Sequence, residues 1–241
     1  MVLSGIKAVF FDLDNTLIDT SGASKKAIEE VIKLLVDKNQ FSEEEAHIIC
    51  KHFQKKLVHE TLGSSEMTID DLRVSHFETS MQDIRPGDHK DFARECYNRW
   101  KTKRLQLMTL PESTKNMLRE LRKSASLVLL TNGNRQVQRE KIQACEVSPY
   151  FDAVVVGGEH AEEKPAPSIF LHCCNLVQVK PEDCVMVGDN LDTDILGGLN
   201  AGLKATIWLN KNSDVKCNPK PTPHYIITCI THLPEVLGSL Q

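Results

Sequence analysis

The 241-residue sequence has no apolar run near the ~18 residues that a membrane-spanning helix requires, and its first candidate, Ala8-Val9-Phe10-Phe11, meets Asp12 at once. No membrane partner is expected. The chain also lacks the charged, apolar and small-residue succession of a secretory leader at its start, and Gly238-Ser239-Leu240-Gln241 is neither a retention signal nor a prenylation box. None of its eight cysteines forms a Cys-x-x-Cys pair, and a chain this long buries a core without staples. Reduced thiols in a cytoplasmic protein are the expectation. Nor does one sign of charge dominate: 29 Lys and Arg against 33 Asp and Glu leave a net charge of −4, spread along the chain. A nucleic-acid partner would ordinarily demand a basic surface, so none is expected.

What is present is an ordinary globular composition, 41% hydrophobic and 26% charged, long enough for one large domain or a domain with an insertion. Several short runs are continuously apolar: Ala8 to Phe11, Leu127 to Leu130, Ala153 to Val156, Cys184 to Val187 and Ala205 to Trp208. Strands buried on both faces read this way. Helix-like stretches lie between them, at Glu112 to Lys123, Arg135 to Cys145, Pro167 to Val177 and Thr193 to Ala201. The alternation predicts an α/β fold, a Rossmann-like parallel sheet with helices on both faces. Tyr225 to Ile230 and Pro234 to Leu240 add one more strand and a closing helix.

From about Ile18 to Arg104 the apolar residues instead recur at helical spacing, as in Ala27, Val31, Leu34 and Leu35. Ser42-x-x-Glu45 and Thr68-x-x-Asp71 resemble capping boxes, while Gly63-Ser64-Ser65 and Arg85-Pro86-Gly87-Asp88 read as turns. The expected organisation is a core of residues 1–17 and 107–241 interrupted by an all-helical insertion, 18–106.

Open parallel sheets bind ligands beyond the carboxyl ends of their strands. There the sequence delivers Asp12-Leu13-Asp14-Asn15-Thr16, Thr131-Asn132-Gly133, Gly157-Gly158 and Gly188-Asp189. Each, taken singly, is an ordinary cap or turn; together they converge on one rim. Two like charges at ~4 Å and an effective dielectric of ~20 repel by roughly 4 kcal/mol, so Asp12, Asp14 and Asp189 require a cation. All-oxygen ligands suit Mg²⁺. Lys164 offers a fixed positive charge, and Asp194 a group to orient that lysine or a metal-bound water.

These segments, Asp12-Leu13-Asp14-Asn15-Thr16, Leu130-Thr131-Asn132-Gly133, Lys164-Pro165 and Gly188-Asp189 through Asp194, resemble in order the four motifs of the haloacid dehalogenase (HAD) superfamily. The helical insertion resembles that family's C1-type cap, which implies a role in substrate specificity. The resemblance implies that Asp12 is a nucleophile forming an aspartyl phosphate and that Asp14 is the general acid and base. It implies Mg²⁺ on the Asp12 carboxylate, the Asp14 carbonyl and Asp189. Phosphoryl oxygens would meet Thr131, Lys164 and backbone N–H groups around Leu13, Asn15 and Asn132. Asn15 departs from the glycine found in many relatives.

Asp14 favours a phosphatase over a dehalogenase, since only an alkoxide leaving group needs an acid. Closer similarity points to a small-molecule phosphorylated sugar acid as substrate. Its carboxylate calls for a guanidinium from the insertion, with Arg73 and Arg104 as candidates and His76 behind them. The alternatives are a 5′-nucleotidase or another sugar-phosphate phosphatase, and more distantly a phosphomutase or a receiver-like signalling domain. His47, Cys50 and His52, like His172, Cys173 and Cys174, lack a second half at zinc-site spacing and read as helix packing. Gly197-Gly198 reads as close helix-to-sheet packing, with Gly202 as a C-cap. Tyr97, Trp100 and Leu105 read as core of the insertion.

Overall fold

The computed structural model describes residues 5–38, 40–60, 67–211 and 219–240. The turn expected at 63–65 and Cys217 lie outside them. The chain divides into two compact units, Met1–Asp19 with Thr109–Gln241, and Thr20–Met108. The divisions fall two residues later than the sequence reading places them.

The first unit is built on a six-stranded parallel sheet of order β3-β2-β1-β4-β5-β6. Its strands are β1 (Ala8–Phe11), β2 (Ser126–Thr131), β3 (Ala153–Val156), β4 (Cys184–Gly188), β5 (Ala205–Leu209) and β6 (Tyr225–Ile227). Every residue of β1 and β4 is buried, which is why those runs are continuously apolar rather than alternating. One face carries Phe10, Val128, Leu130 and Met186 against Ile169, Phe170 and Cys173 of helix α7 (Pro167–Leu176). The order reverses direction on either side of β1, so the crevice at its carboxyl end is the topological switch point.

Two expectations need correction. Thr193 to Ala201 is not one α-helix: a π-type turn, Leu191–Ile195, precedes the short helix α8 (Leu196–Asn200). The Asn190 side chain caps the N–H groups of Asp192 and Thr193, and the Ile195 N–H reaches back to the Asn190 carbonyl, which widens the turn. The last strand stops at Ile227, where its register with β5 ends at the Leu209 pairing; a 3₁₀ turn, Ile230–His232, then leads into α9 (Leu233–Ser239). Gly197 and Gly198 behave as read: a Cβ on either would collide with Phe170 or Thr206, and Gly202 ends α8 at φ +69°.

The second unit contains α1 (Thr20–Asp37), α2 (Glu43–Val58), α3 (Ile69–Gln82) and α4 (Lys90–Leu107). Ser42 and Glu45 form a complete capping box at α2, and Thr68 caps α3 by accepting from the Asp71 N–H. Phe53 stacks on Phe77 at 3.7 Å between centroids, and Tyr97 and Trp100 are buried beside them. Leu105 is only half-buried, at the edge of that core. Cys50 packs in the same core, while His47 bonds the Glu43 carbonyl. Among the described residues, no helix is long and apolar enough to cross a membrane.

Candidate active site

The strand β1 delivers Asp12 one residue past its end, where the Asp12 N–H still pairs with the Val187 carbonyl of β4. Pairing then gives way to a turn, with Asn15 at φ +59°. Asparagine is among the few residues with a side chain that tolerate this left-handed conformation. A cavity of about 220 Å³ opens here, lined by Asp12, Asp14, Asn15, Thr131, Asn132, Lys164, Asp189, Asn190, Thr193 and Asp194. Every side chain expected at the site from the core motifs lies along it, except Leu13, which is fully buried.

At its centre sits Lys164, whose side chain is 1% exposed. Its ammonium donates to Asp12 Oδ1 at 2.7 Å, Asp194 Oδ1 at 2.7 Å and the Leu130 carbonyl at 2.8 Å. Burial alone would discharge a lysine, but the charges of Asp12 and Asp194 prevail and hold it well above the ordinary lysine range. Burial pushes the Asp12 and Asp194 carboxyls upward, with Lys164 pulling each back. The loop carrying the lysine is fixed by Asn132: its amide donates to the Lys164 carbonyl at 2.7 Å, and its oxygen accepts from the Lys164 N–H at 3.0 Å.

Gly188 permits this arrangement. A Cβ there would fall on the Asp194 carboxylate, so only glycine lets that side chain fold back beneath the strand end. Asp189, next along, has its carboxyl lifted to about 6 by burial and by the neighbouring charge of Asp12.

Carboxylate oxygens of Asp12, Asp189 and Asp194 lie within 4.8 Å of one another. Four carboxylates, counting Asp14, meet two ammonium groups, Lys164 and Lys141, leaving a negative excess that a divalent cation fits. The donors are all oxygen, as a hard cation demands. Both oxygens of Asp194 are already used, one by Lys164 and the other by the Asn190 N–H at 3.1 Å. Asp12 and Asp189 are therefore the carboxylates suited to the ion, and Asp194 is the group that holds the lysine.

Two residues that sequence reasoning missed lie against the site, Gln138 and Lys141 of α6 (Arg135–Ala144). Lys141 donates to Asp14 at 2.9 and 2.7 Å, and Gln138 donates to Asp14 at 2.9 Å and to the Thr131 hydroxyl at 2.8 Å. A signal existed. Gln138, Lys141, Ile142 and Cys145 fall at i, i+3, i+4 and i+7, the buried stripe of a helix, and all four are buried. Polar residues on such a stripe need a polar partner inside.

In the helical unit, Arg73 is buried and its guanidinium grips the Glu60 carboxylate through two nitrogens. Arg104 donates to Ser24 Oγ at 2.9 Å and lies 5.0 Å from the Trp100 ring. His76 has a buried Nε2 without a hydrogen-bond partner among the described residues.

The chain belongs to the haloacid dehalogenase-like hydrolases: the model of that family matches residues 6–202. A fold match agrees, with TM-score 0.71 to the crystal structure of a putative beta-phosphoglucomutase from Thermotoga maritima, 17% identical and covering 98% of this chain and 100% of that one. Among curated relatives, the chain is 58% identical over 242 residues to human N-acylneuraminate-9-phosphatase, covering 100% of this chain and 97% of the relative. It is 31% identical to glyceraldehyde 3-phosphate phosphatase of Pyrococcus furiosus, covering 96% and 93%.

Proposed function

We propose that this hydrolase is a Mg²⁺-dependent phosphomonoesterase of the cytosol that converts N-acylneuraminate 9-phosphate into the free sugar acid and phosphate. The observation that carries the substrate is the 58% identity to the human N-acylneuraminate-9-phosphatase, sustained along the whole chain. The chemistry is supported by the site itself.

In this reading an Asp12 oxygen attacks phosphorus as the ester bond breaks, giving an aspartyl phosphate. Asp14 supplies the proton to the departing alkoxide, then takes one from the water that hydrolyses the acyl phosphate. Lys164 stays charged throughout, held by Asp194, and offsets the negative charge gathered around phosphorus. The Thr131 hydroxyl accepts from Gln138 and so keeps its own proton for a phosphoryl oxygen. The backbone N–H groups around Leu13, Asn15 and Asn132 complete the cradle. Asp12, Asp189 and the Asp14 carbonyl would hold Mg²⁺, which would supply charge neutralisation at the phosphoryl group.

The helical unit serves as the cap that selects the substrate. Arg104 and Arg73 are the candidates for the sugar carboxylate, and the Arg73 guanidinium already grips Glu60. Changing Arg104 to Ala should raise KM for the sugar-acid phosphate far more than for p-nitrophenyl phosphate; equal effects on both reject that role. The deciding assay is a phosphate-release panel with Mg²⁺ across N-acylneuraminate 9-phosphate, nucleoside monophosphates and hexose phosphates, repeated with Asp12→Asn. Preference for the first and loss of turnover in the variant are expected. Preference for a nucleotide makes the chain a nucleotidase, and an isomerised sugar phosphate makes it a mutase.

A further inference from the structure

The grip of α6 on Asp14 is unusual in its cost. Lys141 is 6% exposed in its side chain, and removing an ammonium from water is costly, which an ion pair offsets only in good geometry. Replacing both members of such a pair by apolar groups is often neutral or stabilising, so stability alone gives no reason for the pair to be there. Gln138 adds a second cost: its buried Oε1 has no hydrogen-bond partner among the described residues. What its amide nitrogen does is span three groups at once, Asp14 Oδ2, Thr131 Oγ1 and the Asn132 carbonyl.

We propose that Lys141 and Gln138 are positioning residues that fix the plane of the Asp14 carboxyl for proton transfer to the leaving group. The proposal rests on the reading of Asp14 as the acid and base. A lone aspartate turns about two side-chain bonds, whereas a proton donor must lie about 2.6–3.2 Å from the oxygen it serves. Lys141 bridges both carboxyl oxygens and Gln138, one turn earlier on α6, holds Oδ2, so the carboxyl cannot rotate without breaking three hydrogen bonds. Protons balance without Lys141 giving one up. Asp14 passes its proton to the alkoxide and regains one from the attacking water, while the ammonium donates hydrogen bonds to whichever oxygen is bare.

The test compares kcat/KM for an alkyl phosphate, whose leaving group needs a proton, with kcat/KM for p-nitrophenyl phosphate, whose leaving group does not. Lys141→Met should lower the alkyl value by at least about tenfold and the aryl value by less than about threefold, with Lys141→Arg recovering most of the difference. Equal loss on both esters would mark a merely structural lysine, and no loss on either would remove it from the reaction. Gln138→Leu carries the same comparison if the lysine variant does not fold. Asp14→Asn is run beside them. If it fails to separate the two esters, the acid-base reading itself falls; if it separates them and Lys141→Met does not, only the positioning role falls.

Discussion

Replacing Lys164 by methionine keeps the length of the side chain and removes the charge on which the site is built. Three hydrogen bonds of 2.7–2.8 Å disappear, and the carboxylates of Asp12 and Asp194 are left facing each other with little access to water. Breaking a buried pair in this way costs about 3–5 kcal/mol. At roughly 2–4 °C per kcal/mol for a chain of this size, the melting temperature should fall by about 6–20 °C. The loss should also depend on pH with a definite sign. Without the lysine both carboxyls titrate still higher in the folded protein than in the unfolded chain, so the variant is least impaired in acid, where they are protonated, and worst above neutrality. Thermal denaturation in EDTA at about pH 5.5 and 8 measures both effects. Adding Asp194→Asn to Lys164→Met should return part of the loss at the higher pH, because one of the two stranded charges is gone. A melting shift under about 2 °C at both pH values would contradict the claim that this lysine holds the strand ends together.

Other outcomes follow from the same geometry. Gly188→Ala places a methyl group on the Asp194 carboxylate, so it should destabilise by about 1–3 kcal/mol in chemical denaturation and lower turnover; a neutral effect on both would show that the close approach is dispensable. The Asp189 carboxyl, raised to about 6, makes the folded metal-free protein hold a proton that the unfolded chain has released. Its stability should therefore decline as pH rises between about 4 and 6, and the melting difference between Mg²⁺ and EDTA should widen over that window; a constant difference contradicts it.

The sheet was legible because strands buried on both faces must be apolar throughout, and β1 and β3 begin and end where their apolar runs do. The helical unit was legible from its caps and its 3.6-residue periodicity. Less could be read where hydrogen bonding rather than hydrophobicity sets the backbone. The π-type turn at Leu191–Ile195 depends on the Asn190 side chain, which no periodicity reports. Asp12, Thr131, Lys164, Asp189 and Asp194 stood out by their places after strands or ahead of a helix. Gln138 and Lys141 did not, because polar residues within a largely polar helix look like a solvated face until their register with Ile142 and Cys145 is noticed. Arg73 was singled out as a substrate contact from its charge alone, and sequence could not reveal that Glu60 occupies it.

The central claim is that Asp12 takes up the phosphoryl group. Quenching a reaction in acid within the first turnovers and reducing the denatured protein with borohydride converts an aspartyl phosphate, and no free aspartate, into homoserine. Peptide mass spectrometry should find homoserine at position 12 in the presence of substrate and Mg²⁺ and aspartate there without substrate. Aspartate at position 12 in both samples, while phosphate is still being released, would contradict the account.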